Sequence, residues 1–422
     1  MTGKREVTPR TPEAPGPPGA GIANQPRPKT SFTALAALPA FTALKGVFKP
    51  LASLRLTIVC LACAMFIVFV GTLDQVQIGV YEAQLRYFKS FFLYFTLPGS
   101  QFRIPYFPGG YTLGAVLLVN LIAAHLARFK LTWKKSGILI LHSGLILLLI
   151  GQLITSVFEQ ESQIQLDEGQ TKNYSESPYF DELAIIDQSK PDSDEVISIP
   201  ASRLIKGQTI SLPGKGLQLQ VDESYENAAL INPNQLPSPN YPHLRLGPMA
   251  VAVALPKTYK QNERNQPTAA VTLLKDGQAV GSWTLSSGFP QPIQFKIGSN
   301  PFEIIFRPKR YYRPFSITLE EFKHDRYAGT DIAKNFSSKV RLVDPSAHED
   351  REALIYMNHP LWYSDLILYQ AGFGNNDKTT VLQVMKNPSR VLPYVACGMM
   401  ALGLVIQFGM HLVSFVRRRV IA

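Results

Sequence analysis

Four stretches of this chain run for about 20 residues with almost no charged side chain, and their length limits what the chain can fold into. They lie at approximately 54–73, 111–127, 136–157 and 391–413. A bilayer core of about 30 Å is crossed by roughly 20 apolar residues, because an α-helix rises about 1.5 Å per residue. The sequence therefore predicts an integral membrane protein with four transmembrane α-helices.

Basic residues at the ends of these stretches predict the orientation of the chain. Short flanks rich in Lys and Arg stay on the cytoplasmic side of a membrane. Both termini are therefore predicted to be cytoplasmic, and residues 74–110 and 158–390 to face the other side. The formal charge of +11 accompanies no nucleic-acid-binding motif, so no nucleic-acid partner is predicted. The flanking basic residues are Lys45, Lys49 and Arg55, then Arg128, Lys130, Lys134 and Lys135, and finally Arg417, Arg418 and Arg419.

The segments around the membrane domain (54–157) differ in composition. Residues 1–30 are rich in Pro, Gly, Thr and charge, which predicts a disordered cytoplasmic tail. Residues 31–53 alternate Ala, Leu and Phe with single Lys residues, which suits a segment lying along the membrane interface. The aromatic-rich outer loop 74–110 fits the opposite interface and also one wall of an apolar ligand chamber. Residues 414–422 form a basic cytoplasmic tail.

Residues 158–390 change to short runs with strand character, separated by clusters of Pro, Gly, Asn and Asp. This pattern predicts a large extracytoplasmic all-β domain, antiparallel and sandwich-like. One stretch is too rich in Pro for regular structure and is predicted to be a long surface loop, NAALINPNQLPSPNYPHLRLGP. The strand-like runs include LQLQV, MAVAVAL, AAVTLL, IQFKI, FEIIF, SITLEEF, KVRLV, ALIYM and LILYQAGF.

The three cysteines, Cys60, Cys63 and Cys397, all fall inside predicted spans. No disulfide framework is therefore expected in the outer domain. Cys60 and Cys63 stand at i and i+3 in CLAC, which puts both thiols on one helix face and leaves a redox or metal role open. A buried membrane helix favours the alternative, in which cysteine acts as a small apolar residue.

The sequence lacks the common catalytic signatures: it has no CxxCH, P-loop, GxSxG or HExxH. No catalytic residue is predicted, and the chain carries no covalent haem of its own. Histidines within the spans remain. His142 stands about six residues, or roughly 9 Å, inside the third span. His125 and His411 lie close to the cytoplasmic ends of their helices.

Two interpretations of His142 are open, because a polar ring in an apolar span needs a partner. The ring can fix the bundle through a hydrogen bond to a neighbouring helix, which the residues alone favour. A neutral imidazole in an apolar pocket can also ligate haem iron. Gly137 and Gly144 would let either a porphyrin or a helix approach closely. The outer histidines show no paired spacing and are predicted to be surface or turn residues; they are His243, His324, His348 and His359.

Several segments between about 50 and 415, taken in order, resemble the ResB (also called CcsB) family of cytochrome c biogenesis proteins. The block YMNHPLWY followed by LYQAGFG is the most specific part. Where many relatives have Cys in the second span, this chain has AAHLARF, which adds His125. The matching segments are SLRLTIVCLACAMFIVFVGTL, VNLIAAHLARF, HSGLILLLIG, SITLEEFKHDRYAGTDIAKNFSSKVRLVD, ALIYMNHPLWYSDLILYQAGFG and NPSRVLPYVACGMMALGLVIQF.

The resemblance implies a subunit of the system II haem export and haem lyase complex in the bacterial cytoplasmic membrane. Haem would pass outward and be attached to the CxxCH thiols of apocytochrome c. A ResC-type (CcsA-type) partner with a tryptophan-rich segment supplies much of the site, so this chain would be a non-autonomous part of a holocytochrome c synthase. The family's histidine in the third span corresponds to His142, which implies transient ligation of haem b. The second ligand is expected from the partner or from His125.

A hypothesis from another class remains open at this point. The chain could be a structural or receptor membrane protein whose β domain docks a partner and whose helices only anchor it. Haem retention distinguishes the two, because only the first requires bound haem.

Overall fold

A computed structural model describes residues 50–97, 102–128, 132–191, 193–213, 216–238, 240–258, 264–330, 333–374 and 378–421. The predictions for the tail 1–30 and for most of the segment 31–53 lie outside these residues.

Each of the four predicted spans is a helix. They are α1 (Leu54–Ile78), α2 (Gly110–Arg128), α3 (Ser136–Phe158) and α4 (Leu392–Ile421). Within the part of the chain that the structure describes, three helical segments are long and apolar enough to cross a membrane: Leu54–Ile78, Trp133–Phe158 and Leu392–Val420. The apolar stretch of α2, Gly110–Leu126, is shorter. By length and composition alone, these three helices could each cross a membrane.

Polar side chains join α1 to α2 and α2 to α3. Thr57 Oγ1 in α1 donates a hydrogen bond of 2.7 Å to Asn120 Oδ1 in α2. At the other end of α2, the hydroxyls of Tyr111 and Ser156 lie 2.6 Å apart. Since α2 is linked to α1 at its middle and to α3 at its start, it lies beside both helices.

The aromatic segment between α1 and α2 folds into a short helix (Val80–Ala83), a π-helix (Gln84–Phe88) and a hairpin of β1 (Phe92–Thr96) and β2 (Arg103–Pro108). Tyr81 stacks on Tyr179 of the outer domain, with ring centroids 4.0 Å apart. The short helix after α1 is thereby packed against the β domain.

The β domain is antiparallel throughout, because every pairing recorded among the described strands is antiparallel. This confirms the antiparallel β domain predicted from the sequence. The strands are β3 (Gln160–Asp167), β4 (Thr171–Asp187), β5 (Glu195–Pro200), β6 (Thr209–Ser211), β7 (Leu217–Tyr225), β8 (Ala228–Ile231), β9 (Leu244–Arg245), β10 (Val251–Ala254), β11 (Thr268–Lys275), β12 (Gln278–Ser286), β13 (Ile293–Ile297), β14 (Asn300–Arg326), β15 (Ala333–Asp344), β16 (Glu349–Tyr356), β17 (Leu361–Tyr363), β18 (Leu366–Gly374) and β19 (Thr379–Lys386).

The largest sheet has the order β16-β15-β14-β4-β3-β19-β18-β17, with β13 on β14 and β5 on β4. Its two end strands, β16 and β17, are joined by the short turn 357–360, so the sheet must curl until its edges approach each other. Buried side chains from β3 and from β14 to β19 fill the inside, among them Leu319, Leu342 and Leu368. This half of the domain is therefore barrel-like.

The other half is a sandwich. The sheet β12-β11-β7-β6 packs against β5, β4, β14 and β13 through a second core that includes Leu219, Val271 and Phe306. Strands β4 and β14 run through both halves, because each is long enough to pair in the barrel and then in the sandwich. The prediction of a loop over NAALINPNQLPSPNYPHLRLGP was wrong in part, since β8 and β9 lie within it and both pair with β10.

Candidate functional site

The structure brings together the two histidines that the sequence singles out as candidate ligands. His125 lies near the end of α2 and His142 near the start of α3. These helices are antiparallel neighbours, so the two residues reach the same depth in the bundle. Their imidazole rings lie 5.2 Å apart between centroids, with an interplanar angle of 71°. That separation is typical of two aromatic rings in direct contact.

Each ring of this pair is half-buried. Nδ1 of His125 lies 3.1 Å from the carbonyl oxygen of Leu121, one turn earlier in the same helix. If Nδ1 carries the proton, it donates to that carbonyl, and Nε2 is then the nitrogen with a lone pair for a metal. The contact between α2 and α3 thus places two imidazoles, which are common iron ligands, at one point of the membrane domain.

The glycines of α3 serve helix packing. A Cβ on Gly137 would lie 2.8 Å from the carbonyl oxygen of Gly403 in α4, and one on Gly144 would lie 2.8 Å from that of Ala396. Real Cβ contacts of this length essentially do not occur, so only glycine fits at both positions. Of the two possibilities, a porphyrin or a helix, the structure has the helix α4 against this face.

His142 lies five residues after Gly137, which at about 100° per residue puts it on a different side of α3. Helix α3 therefore has two occupied sides, with α4 on the glycine side and His125 of α2 on the histidine side. A haem group reaching His142 would have to approach between or beside α2 and α3.

The donor set fits haem iron, since each ring offers an imidazole nitrogen in apolar helices. Because the two rings touch, no porphyrin fits between them in this arrangement. Within the described residues no group of three or more His, Cys, Asp or Glu side chains could hold a metal ion.

The remaining candidates inside the helices have ordinary surroundings. His411 is exposed on α4, and its Nε2 lies 2.8 Å from Nε2 of Gln407 in the same helix. Cys60 and Cys63 are both free thiols. Cys63 packs with Ile67 in the apolar cluster at the α1–α2 contact, which supports its role as a small apolar residue.

Sequence reasoning missed Asn120, a buried amide in the middle of α2. Its Nδ2 donates to the carbonyl oxygen of Ser53 at 3.1 Å, and its Oδ1 accepts from Thr57. Backbone carbonyls and hydroxyls at the start of α1 are thereby satisfied. The signal was present, because an Asn in an apolar span is unfavourable unless it is hydrogen-bonded.

The outer histidines are mostly in turns or on the surface, but His324 differs. It lies in β14, where its ring packs 4.7 Å from Phe336 and 4.5 Å from Phe373. His324 is thus a half-buried strand residue and does not lie in a turn. His348 lies in a turn with a φ of 53°, and His359 stacks on Tyr356.

Comparison with known proteins adds family information for part of the chain. A sequence model of the ResB-like family matches residues 294–381, which run from β13 into β19 and include most of the barrel. Protein NrfI of Wolinella succinogenes is 30% identical over 102 residues, which is 24% of this chain and 11% of that protein. Residues 294–381 are thus similar to the ResB-like family, in agreement with the sequence resemblance, and the chain spans only about a tenth of the length of NrfI.

Proposed function

We propose that this chain is a membrane subunit of the system II machinery for cytochrome c maturation. It hands haem across the membrane so that a haem lyase can attach it to the CxxCH motif of apocytochrome c. The observation that carries this proposal is the contact between His125 and His142 in apolar helices of a chain with a ResB-like outer domain. The relation to NrfI is consistent with it.

In this proposal α2 is the fourth transmembrane helix. Its 19 residues would span about 28 Å, close to the apolar thickness of a bilayer. Its bonds to α1 and α3 support an alignment with helices that are themselves long enough to cross. The basic flanks then orient the bacterial protein with both termini in the cytoplasm and the β domain outside.

His142 is the proposed ligand of haem, which is cargo rather than a resident cofactor. Haem iron accepts an imidazole nitrogen as an axial ligand. His142 supplies that nitrogen, and the apolar side chains of α2 and α3 exclude water from it. Since His125 touches His142, its ring can support the ligand's position, or exchange with it, while the second ligand comes from the partner.

The partner in this proposal is a ResC-type (CcsA-type) membrane subunit. The outer domain would act as a docking surface for that subunit or for apocytochrome c, since no nucleophile with a base and an orienting group was found in its sequence. The chain would then be one part of a holocytochrome c synthase and would not complete the ligation alone.

The haem spectrum of the purified complex tests this function. The chain is expressed with the ResC-type subunit, purified in detergent, and its visible absorption is recorded. Haem handling predicts a Soret band that weakens in His142→Gly and persists in the control His411→Gly. A wild-type complex without a Soret band would instead favour a docking or anchoring protein.

A further inference from the structure

The segment Arg307–Arg313 of β14 carries three arginines at the point where the strand passes from the sandwich to the barrel. Arg307 Nε lies 3.2 Å from Glu182 Oε1, and both side chains are 3% exposed. Arg310 Nε lies 2.9 Å from Glu176 Oε1. Two of the three guanidinium groups are therefore neutralised by carboxylates of β4.

Arg313 is different. Its Nε and Nη2 are both buried and have no hydrogen-bond acceptor among the residues that the structure describes. These two N–H groups form the edge of the guanidinium that binds two oxygens of one carboxylate or phosphate. Burial lowers the pKa of Arg313, and Asp365 only partly offsets this. Asp365 itself is bound to Lys386, with Oδ2 and Nζ 2.6 Å apart.

A second arginine, Arg390, has the same property. Nη1 of Arg390 is buried without an acceptor in the described part of the protein. The Arg390 guanidinium lies 5.1 Å from the centroid of the Trp362 ring. Trp362 lies in β17, and Asp365 lies in the tight turn between β17 and β18. Phe315, two residues after Arg313, packs against Tyr363 with ring centroids 4.9 Å apart, so both arginines lie near this turn. We call Arg313, Asp365, Lys386, Arg390 and Trp362 the Arg313 cluster.

The Arg313 cluster lies where the outer domain meets the membrane helices. Lys386 pairs with Gln160, the first residue of β3, which follows directly on α3. Lys386 also pairs with Leu366, next to Asp365. Arg390 stands just before α4, which begins at Leu392. Arginine and tryptophan at such a position are typical of residues that contact lipid headgroups.

Both the positive charge and the buried hydrogen-bond donors of the Arg313 cluster favour a bound anion. Lys386 is paired with Asp365, and three buried guanidinium nitrogens, two of Arg313 and one of Arg390, lack acceptors among the residues that the structure describes. A buried donor without an acceptor is unfavourable, and more so when it is charged. An anion with two or more oxygens accepts two parallel bonds from the fork of Arg313 and also supplies negative charge, which a water molecule does not.

We propose that the Arg313 cluster binds the phosphate group of a phospholipid in the outer leaflet. The lipid phosphate accepts from the Nε and Nη2 edge of Arg313, and Lys386 and Arg390 contribute positive charge. Bound lipid would fix the barrel on the outer ends of α3 and α4. Inorganic phosphate has the same chemistry, so the source of the phosphate is part of the test.

Native mass spectrometry of the full-length protein in detergent measures this directly, with phosphatidylglycerol as the probe. The wild-type protein should retain phosphatidylglycerol, and Arg313→Gln should weaken its apparent affinity about tenfold or more, since bonds to a charged group are lost. Arg313→Lys keeps the charge without the planar fork and should also bind more weakly. The matched control is Arg341→Gln, an exposed arginine of the barrel paired with Asp350, which should leave lipid retention unchanged.

Inorganic phosphate distinguishes the two sources. Ten millimolar phosphate, a concentration about that of common buffers, should leave bound phosphatidylglycerol in place, because lipid also gains from its acyl chains. Full displacement would assign the cluster to free phosphate and overturn the lipid proposal. Equal retention by wild type and Arg313→Gln would overturn it as well. Should Arg313→Gln not fold, Arg390→Gln carries the same comparison. None of these readouts depends on haem.

Discussion

The imidazole rings of His125 and His142 pack against each other at 5.2 Å, from two helices that meet in an antiparallel pair. Because of this contact, a change in the protonation or ligation of one ring affects the other ring. Each of the two side chains therefore forms part of the surroundings of the other. Helix α3 therefore makes contacts on two sides, with His125 on the histidine side and with α4 on the glycine side.

Replacing Gly144 with Ala should separate α3 from α4. The new Cβ would lie 2.8 Å from the carbonyl oxygen of Ala396, too close for either backbone to stay in place. We expect the free energy of unfolding to fall by about 1–3 kcal/mol. Titration with sodium dodecyl sulfate, followed by circular dichroism, measures it. Gly398→Ala in α4 is the control, since its Cβ meets nothing within 4 Å. Equal effects of the two variants would contradict the packing.

The buried pair of Arg307 and Glu182 should be sensitive to removal of one partner. Both side chains are 3% exposed, so Arg307→Met leaves a buried carboxylate without its counter-ion. We expect a loss of about 3–5 kcal/mol in the free energy of unfolding. The exposed pair of Arg341 and Asp350 is the comparison, and Arg341→Met should lower stability by at most about 1 kcal/mol. A smaller loss for Arg307→Met than for Arg341→Met would count against this.

The hydrogen bonds of the Asp344 carboxylate predict that the stability of the folded protein depends on pH. Its carboxylate accepts from Ser346 Oγ at 2.6 Å and from Tyr363 Oη at 2.8 Å, and these bonds lower its pKa in the folded protein. A lowered pKa contributes stability above the unfolded pKa of about 3.9, and that contribution is lost as the pH falls through the folded value. At pH 7 the wild-type protein should therefore unfold at a higher temperature than Asp344→Asn.

The advantage of wild type over Asp344→Asn should shrink as the pH is lowered below about 4. Tyr363→Phe removes only one of the bonds and should show a smaller effect of the same sign. A difference between wild type and Asp344→Asn that stays constant from pH 7 to pH 3 would rule out this carboxylate as the cause.

Reporter fusions test the proposed orientation. A fusion after Ala250, just before β10, should be active only for a reporter that works outside the cytoplasm, such as alkaline phosphatase. A fusion after Arg419 should be active for a cytoplasmic reporter. The basis is the position of the basic flanks relative to the helices. High cytoplasmic activity from the fusion at Ala250 would reverse the topology.

The helices could be predicted closely from the sequence because their apolar length is a local property. The first predicted span stops at 73, whereas α1 continues to Ile78. The predicted span was ended before Asp74 because a charged side chain is unfavourable in a bilayer. In the structure its carboxylate accepts from Tyr87 Oη at 2.9 Å and from Arg86 at 3.3 Å. The helix can therefore carry Asp74 near its C-terminal end.

The strands were less predictable, since their pairing joins residues far apart in the chain. FEIIF and SITLEEF were identified as separate runs, but both belong to β14. Pro308 lies between them at a shift in the register with β4, where a missing N–H is tolerated. The sequence also could not show that Arg307 meets Glu182 while Arg313 lacks a carboxylate partner among the described residues.

For the candidate site, His142 could be identified because a polar ring interrupts an apolar span. Its contact with His125 follows from the pairing of α2 with α3. The short connection between these two spans suggests the pairing, but it does not determine which residues of the two helices lie at the same level. The role of Gly137 and Gly144 required the position of α4, which is far away in the sequence.

Substitution of His142 by Gly in the complex with the ResC-type subunit tests haem ligation most directly. The visible spectrum of the purified complex is recorded with and without added imidazole, together with cytochrome c assembly in cells. If His142 is an axial ligand, His142→Gly lowers bound haem and assembly without preventing membrane insertion. Free imidazole then restores part of both, because it can take the place of the lost side chain. Full haem occupancy and an unchanged spectrum in His142→Gly would show that His142 only packs against His125.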